Sequence, residues 1–163
     1  MKNALNRLSA QRQTGEKGAA AVEFALVVIV LLLIVAGIVE FGRAFWYYDA
    51  LTKATRDGAR YMSTANVATI NTAGVPAART LVVTVANAAR VSPVLGSGNV
   101  SVTCLDTSYG VVPCQNNTAP ANVRVAIVNY SITLGGLLPL AYTTGQAASG
   151  ATLTPSTTMR YMN

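Results

Sequence analysis

Residues 18–39, GAAAVEFALVVIVLLLIVAGIV, limit what this chain can fold into more than any other stretch. From Ala19 to Val39 there are 21 residues and one charge, Glu23. A helix of that length, rising about 1.5 Å per residue, spans the roughly 30 Å of a bilayer's hydrocarbon. Leu, Ile, Val and Ala occur all round it, so no polar stripe is left to face water. The other reading, a core helix of a soluble protein, needs enough chain to surround it, and 163 residues are too few.

Glu23 is the exception inside this run. A carboxylate at the centre of a membrane helix costs about 2.5–3.5 kcal/mol on insertion scales, so Glu23 either reaches the head groups from its place near one boundary or meets a positive partner. Upstream lies a polar segment, MKNALNRLSAQRQTGEKG, with Lys2, Arg7, Arg12 and Lys17 against the single acid Glu16. Cutting after Gly18 would make Ala19 the new N-terminus and Glu23 the fifth mature residue. Cutting after Gly15 would put Glu23 eighth and leave Glu16 and Lys17 on the mature end.

A basic leader, Gly at the cut, Glu at the fifth position, Phe24 next and an unbroken apolar helix resemble a type IV prepilin signal. Over residues 18–61, GAAAVEFALVV followed by IVEFGRAFWYYDALTKATRDGARY resembles the TadE-like pseudopilins of tight-adherence (Tad/Flp) pilus systems, and STTMRYMN near the end is similar too. The resemblance implies a structural role in pilus assembly. Gly18 is then the cleavage residue for a prepilin peptidase and Ala19 supplies the amine. Glu23, with Phe24 beside it, pairs with that amine, normally on an adjacent subunit. A buried carboxylate and a new ammonium group offset each other's desolvation, so the chemistry is consistent with the motif. The implied partners are other pilin and pseudopilin subunits, the inner-membrane pilus assembly machinery and membrane lipid.

Charge and cysteines agree with an exported domain. The formal charge of +6 suggests nucleic acid at first sight, but removing residues 1–18 leaves eight bases against five acids with no basic cluster, so no nucleic-acid partner is expected. Positive residues beside a first membrane helix hold that flank in the cytoplasm, which sends the rest across. Cys104 and Cys114 would then lie in an oxidising compartment, where a disulfide closing their short loop contributes roughly 3 kcal/mol. Two free thiols are the alternative. A secretory signal peptide cut near Val35 to Gly37 is a second account of the N-terminus, although the apolar run is long for one.

Further along, no proline occurs between Gly18 and Val75, and one helix from about residue 20 to Ser63 is expected. Glu40, Arg43, Trp46, Tyr47 and Tyr48 supply charge and an aromatic belt where it leaves the membrane. Leu51, Ala54, Gly58 and Met62 then share one face, with Lys53, Arg56, Asp57 and Arg60 on the other. Residues 63–74 read as helix end and linker. Pro76 opens a second helix with Val82, Val85, Ala86 and Ala89 as its stripe. Alternation marks strands at 99–104 and 121–134, with a hairpin or loop pinned between the cysteines and an edge strand near Pro155. Leu134, Leu137, Leu138 and Leu140 belong to an irregular loop over the core, or to a surface that meets membrane or a neighbouring subunit.

The expected fold is α+β: a long N-terminal transmembrane helix continuing into an amphipathic helix, packed on a small second helix and an antiparallel sheet. It divides into a leader at 1–18, a membrane helix at 19–39, its extension at 40–66 and an exported domain at 67–163. The chain has no histidine, and it contains no phosphate loop, nucleophile elbow or metal-ligand spacing. The acids beyond the membrane form no catalytic pair; Glu40 with Arg43, and Lys53 with Asp57, read as helix-surface pairs. No enzyme, cofactor or metal is expected. Two functions from different classes follow: a cleaved pseudopilin or minor pilin in the inner membrane and pilus, or an uncleaved single-span envelope protein whose exported domain binds a ligand or partner.

Overall fold

The computed structural model describes residues 2–134 and 150–162, with residues 2–17 as backbone alone. Helix α1 runs from Lys2 to Ser63, about 90 Å at 1.5 Å per residue. It begins well before residue 20, because nothing in the polar segment at 2–17 breaks a helix. Its distal part buries Leu51, Ala54, Thr55, Ala59 and Met62, while Lys53, Arg56, Asp57 and Arg60 stay exposed. The amphipathic division expected for this half is present.

Residues 63–74 are more ordered than a linker. Asn66 accepts the Ala68 amide on Oδ1 at 2.9 Å and starts a 3₁₀ turn at Val67–Thr69, which runs into a π-helical turn at Ile70–Gly74. Ile70 and Gly74 are buried there, so the polar composition concealed two apolar anchors. Helix α2, Val75–Ala88, follows directly, with Pro76 in its first turn where a missing N–H costs nothing. Its buried stripe is Val75, Ala78, Val82 and Ala86, one turn earlier than expected, leaving Val85 and Ala89 half-buried. Met62 lies near Gly74, Gly58 against Val82 and Trp46 near Ala89, so α2 runs antiparallel to α1.

A four-stranded antiparallel sheet covers the helix pair. Its strands are β1 (Val100–Leu105), β2 (Val111–Val112), β3 (Asn122–Ile127) and β6 (Ser156–Arg160), in the order β2-β1-β3-β6. Val100, Val102, Cys104, Val123, Val125 and Ile127 point into the core by the alternation of a pleated strand. Thr55 of α1 meets Thr157 of β6 at 3.0 Å between hydroxyls. β6 lies at the sheet edge, as Pro155 suggested.

The strand expected over 121–134 is two strands. Asn129 adopts a positive φ of 51°, and the Asn99 amide donates to the carbonyls of Val128 and Asn129, which turns the chain. Tyr130 is thereby buried, and β4 (Ser131–Thr133) pairs with β5 (Gly150–Thr152) as a separate ribbon. Leu137, Leu138 and Leu140 of the expected irregular loop lie outside the described residues.

Candidate functional site

The membrane-facing end of α1 carries the residues that the motif singles out. None of its most apolar 18-residue window is buried against the rest of the chain, and its mean hydropathy is 3.1. Gly18, Ala19, Glu23 and Phe24 are all exposed, and an added Cβ at Gly18 would touch nothing. Ala19 and Glu23 are four residues apart on one helix, so their side chains share a face about 6 Å apart along the axis. Helical side chains lean toward the N-terminus, which aims the Glu23 carboxylate at the turn that begins with Ala19.

At the other end of this span, Glu40 and Arg43 do something the composition did not indicate. Glu40 is buried, only 5% exposed, and its carboxylate pairs with Arg43. Arg43 Nη2 also donates to the Thr133 carbonyl of β4 at 2.8 Å. Expected as a helix-surface pair, the two residues instead bind the helix to the small ribbon. Sequence spacing shows the i, i+3 relation but not the carbonyl ninety residues away. Lys53 likewise pairs with Asp49 at 2.7 Å rather than with Asp57, since both partners stand at i, i+4 from it.

Cys104 and Cys114 form a disulfide with Cα atoms 5.2 Å apart. It joins buried β1 to the segment after β2, next to the register pair Cys104↔Val112, and so pins the hairpin expected between the cysteines. Open clefts of about 370 and 410 Å³ flank this hairpin. The acid in one of them, Asp106, already accepts the Ser108 and Gly110 amides at 2.8 Å each. Among the described residues, no three His, Cys, Asp or Glu side chains gather as metal ligands.

Beyond the exposed apolar run and its acidic residue, the distal part of α1, α2 and the strands form a small head domain around one core. Residues 18–60 match the family model described as TadE-like protein. This segment is TadE-like. No curated protein and no solved structure matches the chain. The TadE-like segment covers the membrane span, the Glu40–Arg43 pair and the helix face as far as Arg60, and it stops short of the second helix and the sheet. Its boundaries agree with the resemblance read from residues 18–61. Among the described residues one helix is long and apolar enough to cross a membrane, and with its TadE-like segment it fits a membrane anchor.

Proposed function

We propose that this chain is a pseudopilin or minor pilin of a tight-adherence pilus, released from its leader by a prepilin peptidase that cuts after Gly18. The observation that carries the reading is the placement of Glu23 one helical turn beyond Ala19 on an exposed apolar helix, within a TadE-like match. Cleavage would create an ammonium group at Ala19 beside the level of that carboxylate. In a bundle of such helices the pair, normally between adjacent subunits, offsets the desolvation of both charges. Gly18 lowers helix stability by about 0.5–1 kcal/mol relative to alanine, which favours local opening of the backbone for a peptidase.

The protein is then a structural subunit that joins the pilus assembly machinery through its helix, with its head domain on the outer side of the inner membrane. The head is far larger than a short major pilin, which favours assembly or priming over bulk fibre formation. N-terminal sequencing of protein recovered from membranes and from sheared fibres tests the reading. A chain that starts at Ala19 supports it, whereas one that keeps Met1, or starts near Ile38, overturns it in favour of an uncleaved anchor or a cleaved signal peptide.

A further inference from the structure

Past Val39 the two sides of α1 differ in chemistry. Toward the head domain, Glu40 and Arg43 are tied to each other and to the Thr133 carbonyl, and Ala44 and Tyr47 pack on the core. The opposite side presents Ile38, Phe41, Phe45 and Tyr48, with Phe41 74% and Phe45 65% exposed. Their spacing of three, four and three residues makes one stripe, continuous with Leu31 and Ile34 of the span. Exposed charge returns at Asp49 and Lys53. Residues 24–48 measure about 37 Å along the axis, more than the ~30 Å of hydrocarbon but within the ~40–45 Å that includes the head groups.

Two occupants could cover this stripe. Helix pairs in membranes favour small residues that let the backbones approach, and the stripe has bulky ones at every position. Aromatic side chains concentrate at the membrane–water interface. We propose that Phe41, Phe45 and Tyr48 form a lipid-contact surface in the head-group layer, so that the head domain sits on the bilayer at the level of the Arg43–Thr133 contact instead of standing clear of it. The proposal rests on the membrane-anchored reading above.

Trp46, the only tryptophan in the chain, lies at this depth and reports on it. The full chain is reconstituted into phosphatidylcholine–phosphatidylglycerol vesicles brominated either near the glycerol end or near the terminal methyl of the acyl chain, and the vesicles are floated before fluorescence is read. The expected result is a floating chain whose emission is blue-shifted from that in denaturant and is quenched more strongly by bromine near the glycerol end. Replacing Phe41→Ser and Phe45→Ser together should shift the emission to the red and weaken the quenching; unchanged values would overturn the proposal. So would a floating chain whose emission is unquenched, whether blue-shifted or not: a second copy on the stripe would give that result, and the blue shift alone does not decide, because Trp46 also lies near Ala89. Failure to float would sink the anchor itself, an outcome separate from a wrong depth.

Discussion

Gly58 of α1 lies so close to Val82 of α2 that a Cβ built on it would stand 2.5 Å from Val82 Cγ2. Val82 is fully buried, and its branched side chain has one favoured rotamer in a helix, so it cannot turn away. The α1–α2 contact therefore depends on a hydrogen at this position.

Gly58→Ala should destabilise the protein by about 1–2 kcal/mol, because overpacking costs of roughly 1–3 kcal/mol exceed the gain of up to about 1 kcal/mol in helix propensity. Urea unfolding in detergent, followed by circular dichroism, measures it. Adding Val82→Ala should recover part of the alanine penalty, and a Gly58→Ala protein more stable than the parent would contradict the close approach.

Arg43→Met removes the charge-assisted contacts to Glu40 and to the Thr133 carbonyl while keeping most of the aliphatic stem. A loss of about 1.5–3 kcal/mol is expected, the range for hydrogen bonds that involve a charged group. A double-mutant cycle with Glu40→Gln should show coupling between the two positions, and additive losses would argue against the pair.

Replacing Cys104 and Cys114 together with alanine should lower the unfolding free energy by roughly 3 kcal/mol. Reduction of the parent should produce a similar fall in its urea midpoint. The same midpoint with and without reductant would mean that the hairpin register holds the loop without help from the bridge.

Tyr130 predicts a pH dependence. Burial, and then the neighbouring Tyr47, raise its phenol above the usual value of 10.0, and its hydroxyl donates to the Pro93 carbonyl at 2.6 Å. The unfolded chain gives up this proton first, so the contribution is complete below about pH 10 and is lost as pH climbs through the higher folded value. Tyr130→Phe should cost about 1 kcal/mol at neutral pH through the lost hydrogen bond, and the difference from the parent should shrink in alkali. Urea titrations of both proteins from about pH 7 to about pH 11, a range that brackets the phenol's ordinary value, would show it.

At the membrane end, Gly18→Val should abolish processing, since a branched side chain hinders access to the scissile backbone. Glu23→Ala should leave cleavage and insertion intact while impairing assembly. Immunoblots for leader loss and counts of sheared fibres separate the two effects, and normal piliation of the Glu23→Ala strain would contradict the pairing.

Periodicity carried the fold where one face repeats. The α1 face at Leu51, Ala54, Gly58 and Met62 and the inward residues Val123, Val125 and Ile127 were legible because local spacing alone decides which side they bury. What spacing could not show is contact between distant segments. Gly74 sits in a polar stretch and is buried close to Ala65, Met62 and Ile70, a turn that composition does not reveal. The break at Asn129 depends on the Asn99 amide reaching across from the start of β1. The TadE-like segment was readable because its motif is consecutive, whereas the contact that Glu40 and Arg43 make waits on a carbonyl in β4.

The chain closes on the far end of its own longest helix. Tyr161 donates its hydroxyl to the Ala65 carbonyl at 2.5 Å, and the Met162 amide donates to the Ser63 carbonyl at 2.9 Å. Ser63 lies 24 residues beyond Val39, about 36 Å along the axis. A fluorophore attached at position 162 would thus sit at the end of α1 opposite its apolar run and would label the protein without touching the exposed stem.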